Sequence, residues 1–185
     1  ASCVCEPILS SFGGGGFLLA SPAEGESRVY DFFVKTPSGE NRNPDSMDFK
    51  GIDVYYGAVT QRFHIGKASV GVPGQVRGIF DIHNDLGTMP MKDIFAPAIE
   101  YAKKGVVMNA YQSFLLDVVR DILASDENCK KLFGCPEEDG KFLPEGAVMK
   151  LPDMADFMET LAIEGPDLFY RGEVARSIAE DMKDG

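Results

Sequence analysis

Residues 72–87 read VPGQVRGIFDIHNDLG, and the chain changes character across them. Pro73 and Gly74 interrupt what precedes. From Gln75 onward Val76, Ile79, Phe80 and His83 recur at three- and four-residue spacing until Gly87 stops the run. That spacing predicts an amphipathic helix. Upstream, the chain is rich in β-formers and glycine. Phe17 to Ala20 (FLLA) follows Gly13–Gly16 and predicts a strand that ends at Ser21-Pro22. Arg28 to Val34 (RVYDFFV) predicts a second strand, joined to the first through the polar stretch Ala23-Glu24-Gly25-Glu26 as an antiparallel hairpin. Lys35 to Asp48 reads as loop, and Ile52 to Tyr56 and Phe63 to Ile65 as short extended pieces.

Downstream of residue 72 the pattern is helical. Met91 to Lys104 predicts a helix closed by Gly105, with Ile94, Ala98, Ile99 and Ala102 on its apolar face. Val107 to Leu123 predicts another, on a stripe of Val107, Tyr111, Phe114, Val118 and Ile122. Ser125 to Met149 is expected to be loop-rich. Pro152 to Glu164 and Gly172 to Lys183 close the chain as helices, Pro152 and Asp153 suiting a first turn. The expected fold class is therefore α+β, with a strand-rich part (residues 1–71) and a helical part (residues 72–185) of one domain.

The 185 residues suffice for a single core, and 44% apolar with 25% charged residues is a globular profile. No run reaches the roughly 18 apolar residues a membrane span needs, so none is expected. Twenty-nine acidic against 18 basic residues give a net charge of −11, which argues against nucleic-acid binding. The chain opens at Ala1 without a basic leader, as a piece of a longer polypeptide or one trimmed at its front would. The compartment stays open, a soluble cytoplasmic setting being favoured over a periplasmic or extracellular one.

Chemistry-bearing motifs are sparse. Gly13–Gly16 has a predicted strand after it and no Lys-Ser/Thr at its end, which disfavours a phosphate loop and favours close backbone packing. Asp81 and Asp85 share a helix face while His83 points elsewhere, so a solvated face is expected there and not a metal site. Asp53, beside Tyr55 and Tyr56, reads as a local structural group. Cys3/Cys5 and Cys129/Cys135 lack zinc-ligand spacing; they are free or paired, and a Cys129–Cys135 disulfide is possible across the intervening loop.

Several segments taken in order resemble the gamma-glutamyltransferase (gamma-glutamyltranspeptidase) family. They are Glu6-Pro7 followed by Gly13–Gly16 and Phe17-Leu18, then residues 68–78 (ASVGVPGQVRG), Gly87-Thr88-Met89-Pro90 and Pro97-Ala98-Ile99. The late stretch ETLAIEGP at 159–166, with Phe169-Tyr170 and Gly172, completes the pattern. The resemblance implies an N-terminal nucleophile hydrolase of αββα sandwich fold, made as a precursor that cleaves itself into two subunits. It implies that this chain is part of the large subunit, contributing strands first and then helices. The partner is then a small subunit whose N-terminal threonine is the nucleophile. A γ-glutamyl group, from glutathione or another small acyl amide, is passed to water or an amino acid. No cofactor or metal is implied, further dimerisation is open, and none of Thr36, Thr60, Thr88 or Thr160 lies in the family's cleavage context. The expected catalytic residues in this chain are therefore none. The alternative is a large-subunit-like scaffold or binding module without catalysis.

One departure from the family bears on the substrate. The resemblance implies, as in most family members, an Arg-Glu-Thr-Ala-Pro motif at the end of the strand after the glycine run, whose arginine holds the substrate α-carboxylate. Here the segment reads Asp31-Phe32-Phe33-Val34-Lys35-Thr36-Pro37, and Phe33 takes the arginine's place. A charge-assisted fork is exchanged for an apolar surface. Lys35, two residues on, is the candidate that partly substitutes. The substrate-binding candidates are therefore Phe33 and Lys35. A strand is expected straight after the glycine run, and exposed apolar surface on the edge of its sheet.

Overall fold

The computed structural model describes residues 1–38 and 47–184. One helical turn, α1 (Ser2–Cys5), buries Cys3 and Val4. Two hairpins follow: β1 (Phe17–Ala20) with β2 (Arg28–Asp31), and β3 (Lys50–Tyr55) with β4 (Thr60–Ile65). Both are antiparallel, Phe17 standing opposite Asp31 in the first and Lys50 opposite Ile65 in the second. The glycine run does lead into a strand, and the hairpin expected around residues 17–34 forms. Regular β2 stops at Asp31, three residues early. Even so, Phe32 and Gly16 still exchange N–H···O bonds of 3.0 and 3.2 Å. Of the expected loop from Lys35 to Asp48, residues 39–46 lie outside the described residues.

After a 3-10 turn at Lys67–Ser69, the helices α2 (Gln75–Leu86) and α3 (Met91–Lys104) occupy the predicted spans. The short strand β5 (Val106–Val107) pairs with β6 (Val148–Met149). Between them lie α4 (Ala110–Val118), α5 (Arg120–Leu123) and α6 (Glu127–Phe133). The helices α7 (Pro152–Glu164), α8 (Asp167–Tyr170) and α9 (Glu173–Asp181) complete the order, ending in a 3-10 turn at Met182–Asp184. No helix among the described residues is long and apolar enough to cross a membrane.

The core lies where α3 packs along α7. Met91, Phe95, Ala98 and Ala102 face Ala155, Met158 and Leu161, all buried. Phe95, and not Ile94 as expected, fills the α3 stripe; Ile94 lies one position round the helix and is exposed.

The predicted stripe through Val107, Tyr111 and Phe114 faces outward, with these side chains 56–63% exposed, and the buried positions are Gln112, Leu116 and Leu123. Val107 is spent on β5, so the helix starts at Ala110. Asn109 sets that start: its side chain accepts the Gln112 N–H while Gln112 Oε1 accepts the Asn109 N–H, a reciprocal capping box. Gln112 then turns inward and donates to the Cys5 carbonyl. A polar residue at the head of the true stripe hid it. The expected loop-rich region holds α6, capped by the Asp126 side chain on the Cys129 N–H. All four cysteines are free thiols, so Cys129 and Cys135 form no disulfide.

The β1–β2 hairpin has two unlike faces. Phe17, Leu19 and Val29 project away from the rest of the chain and are more than 60% exposed. The opposite face carries Tyr30 and Phe32 toward α2, where the Arg28 guanidinium and the Tyr30 hydroxyl each donate to Asp85 at 3.0 Å. One face of the hairpin is thus covered by a helix and the other presents apolar surface, which was expected on the sheet's edge and lies instead on its face.

Candidate functional site

The glycine run, the β2 extension and the start of α2 converge on Phe32. The Gly14 carbonyl accepts the N–H groups of both Gly74 and Gln75 at 3.0 Å, which caps α2 with backbone. A Cβ on Gly15 would lie 2.5 Å from the Phe32 carbonyl oxygen, and one on Gly74 only 2.1 Å from it. On Gly78 a Cβ would lie 2.2 Å from Phe32 Cγ. The glycines thus allow two backbones and a helix to close around one residue.

Gripping Phe32 this way turns its neighbour outward. Phe33 is 53% exposed and stacks on Phe17, ring centroids 5.5 Å apart and planes within 13°. Its N–H donates to Asp31 Oδ1 at 3.1 Å. Two residues on, Lys35 is fixed at the backbone: its N–H donates to the Val72 carbonyl and its carbonyl accepts the Val72 N–H, at 3.1 and 2.7 Å. Phe33 and Lys35 both line one cleft, of about 290 Å³, together with Asp31, Pro73, Gly74, Arg77, Asp81 and Tyr170.

Tyr170 ties two parts of that lining together. Its hydroxyl donates to the Pro73 carbonyl at 3.0 Å and accepts the Arg77 N–H at 3.1 Å. Burial raises its phenol pKa, against the opposing influence of the Arg77 N–H and charge. The Arg77 side chain, 55% exposed, stands 3.8 Å from Asp81 along the helix. The cleft thus combines aromatic side chains with two cations, Lys35 and Arg77, and two carboxylates, Asp31 and Asp81, a mixed lining that a small polar molecule can engage.

The structure brings both sequence candidates, Phe33 and Lys35, to the same cleft. Arg77 and Tyr170 are additional members that the sequence did not single out as site residues, and Asp81, read there as part of a solvated helix face, also lines the cleft. Arg77 lies within residues 68–78 and Tyr170 in the Phe169-Tyr170 pair that follows residues 159–166, and only their hydrogen bond shows why the two belong together. Other polar side chains are engaged locally: Asp85 with Arg28 and Tyr30, Asp53 with Arg62, and His83 Nε2 with the Met89 carbonyl at 2.7 Å. No group of three or more potential metal ligands occurs among the described residues.

A family model described as gamma-glutamyltranspeptidase matches residues 1–185. "Glutathione hydrolase 3" of Arabidopsis thaliana is 26% identical over 181 residues, covering 97% of this chain and 26% of that protein. "Glutathione hydrolase proenzyme" of Escherichia coli is 30% identical over 184 residues, covering 99% of this chain and 30% of that protein. Among solved structures, the gamma-glutamyltranspeptidase of Helicobacter pylori superposes with a TM-score of 0.80 at 26% identity. That match covers 99% of this chain and 50% of the solved one. The chain thus spans less than a third of these two curated relatives and half of the solved chain. Its fold is the α+β fold of the N-terminal nucleophile hydrolases, as expected.

Proposed function

The chain belongs to the gamma-glutamyltranspeptidase family, and from that premise we propose that it is the large-subunit part of an N-terminal nucleophile amidohydrolase. The complete enzyme transfers or hydrolyses a γ-glutamyl or related acyl group. A threonine at the N-terminus of a small subunit attacks the acyl carbonyl, and its own amine takes the proton. This chain supplies a wall of the substrate site, and a small acyl amide such as glutathione is the donor.

The observation that carries the proposal is the cleft at Phe33. It is lined by residues of the family motifs together with Phe33, which on our reading stands in place of the carboxylate-holding arginine and whose ring stacks on Phe17. An acyl chain laid on Phe33 gains apolar contact, whereas a carboxylate at that spot finds no guanidinium fork. Lys35 is the cation beside it, a point charge on a flexible stem. The acyl preference is therefore shifted away from that of a typical family member, toward groups that profit from an apolar wall.

The test is turnover of acyl anilides by the complete, processed protein, together with mass-spectrometric mapping of a covalent acyl adduct. Turnover with the adduct on the small subunit's N-terminal threonine is the expected result. A processed protein that turns over no acyl amide and takes up no label would overturn the proposal in favour of a scaffold.

A further inference from the structure

The cleft holds two cations, and they differ in how they are held. Lys35 is followed at once by the exposed residues Thr36, Pro37 and Ser38, so only its backbone pairing with Val72 fixes it. Arg77 stands in the first turn of α2, between the fully buried Val76 and the tightly packed Gly78. The Tyr170 hydroxyl holds its N–H. A group carried on a rigid helix is placed more precisely than one on a loop.

The guanidinium is also unspent. Among the described residues its one ionic neighbour is Asp81, at 3.8 Å with both side chains 55% exposed. Charge-assisted N–H···O bonds normally close to roughly 2.7–2.9 Å. The pair is a loose surface contact of small worth, easily exchanged for a better carboxylate. At the N-terminus of α2 the Gly14 carbonyl and the Tyr170 hydroxyl occupy the N–H groups of Gly74, Gln75 and Arg77, and Val76 is fully buried.

We propose that Arg77 is the specificity residue that binds a substrate carboxylate in this cleft, releasing Asp81 as it does so. This deepens the acyl-transfer function and rests on it. With Phe33 in place of the family's arginine, Arg77, which lines the same cleft, supplies the planar fork that a carboxylate needs. The carboxylate belongs either to the acyl donor or to the accepting amino acid.

The experiment uses the complete processed protein and the variants Arg77→Gln, Arg77→Lys and Asp81→Asn. The donor arm compares kcat/KM for γ-glutamyl and butyryl p-nitroanilides without acceptor. The acceptor arm compares transfer to an amino acid and to its amide. Arg77→Gln should cost roughly 10- to 150-fold in one arm, for the carboxylate-bearing compound only. Arg77→Lys should recover part of that loss. Asp81→Asn should raise kcat/KM for the same compound, a gain that a damaged fold would not give. Equal losses for charged and uncharged compounds, or no loss in either arm, would overturn the assignment while leaving the acyl-transfer function standing. If the wild-type protein turns over neither anilide, that function fails, and titration calorimetry with L-glutamate decides on Arg77. Binding abolished in Arg77→Gln supports the assignment; binding unchanged, or absent from the wild type, refutes it.

Discussion

Gly78 is the position where a single methyl group should do the most damage to the cleft. An added Cβ would lie 2.2 Å from Phe32 Cγ, 2.5 Å from its Cβ and 2.6 Å from its Cδ1. Carbon atoms in contact sit at about 3.5–4.0 Å, so the shortfall is well over 1 Å. It falls at the root of the ring, where rotating the side chain brings little relief. Phe32 cannot retreat, because Gly16 pairs with its backbone and Gly15 and Gly74 press on its carbonyl. The helix must therefore part from the hairpin. Alanine in a helix interior gains about 1 kcal/mol over glycine, while overpacking costs roughly 1–3 kcal/mol and occasionally more. The contact here belongs at the upper end, so Gly78→Ala should destabilise by about 1–2 kcal/mol net. Denaturant unfolding of Gly78→Ala, Phe32→Gly and the double variant measures the coupling. Phe32→Gly is the right partner because Phe32→Ala would keep the 2.5 Å contact. In the Phe32→Gly background Gly78→Ala should become neutral or stabilising. An unchanged or raised midpoint for Gly78→Ala alone, or the same effect with and without the ring, would refute the packing argument.

Tyr170→Phe removes the hydroxyl that bridges Pro73 and Arg77 and should cost about 1 kcal/mol, read from the unfolding midpoint. Because burial raises the Tyr170 pKa above the ordinary 10.0, the folded state holds the proton more tightly than the unfolded one. The wild type's advantage over Tyr170→Phe should be full below that value and shrink as the pH rises past it; an advantage constant with pH would contradict this. Asn109→Ala opens the capping box at α4 and should cost about 0.5–2 kcal/mol, with Asn109→Asp retaining most of the stability. Equal losses for the two substitutions would show that the cap does not set the start of α4.

Much of the fold was legible because local signals agreed with one another. Gly74 and Gly87 bracket α2, Gly105 closes α3, and Pro152 opens α7, so these spans could be read from periodicity and punctuation together. The reading failed where a polar side chain faces inward or a residue changes role. Gln112 heads the buried stripe of α4, and Val107 belongs to a two-residue strand whose partner lies 41 positions later in the chain, at Val148. No window of local sequence contains that pairing. The cleft was half legible. A departure from a family motif singled out Phe33 and Lys35, but Arg77 and Tyr170 are brought together only by the packing of the late helices on the start of α2.

The most direct test of the account is the selectivity of the complete, self-processed protein before and after Phe33→Arg. The measured quantity is the ratio of kcat/KM for a γ-glutamyl anilide to that for an uncharged acyl anilide. Restoring a charged fork at this wall is worth about 1.5–3 kcal/mol, so the ratio should rise roughly 10- to 150-fold, through both better glutamyl binding and loss of the apolar surface. An unchanged ratio in a folded, processed variant would contradict the account, since Phe33 would then form no part of the acyl-binding wall.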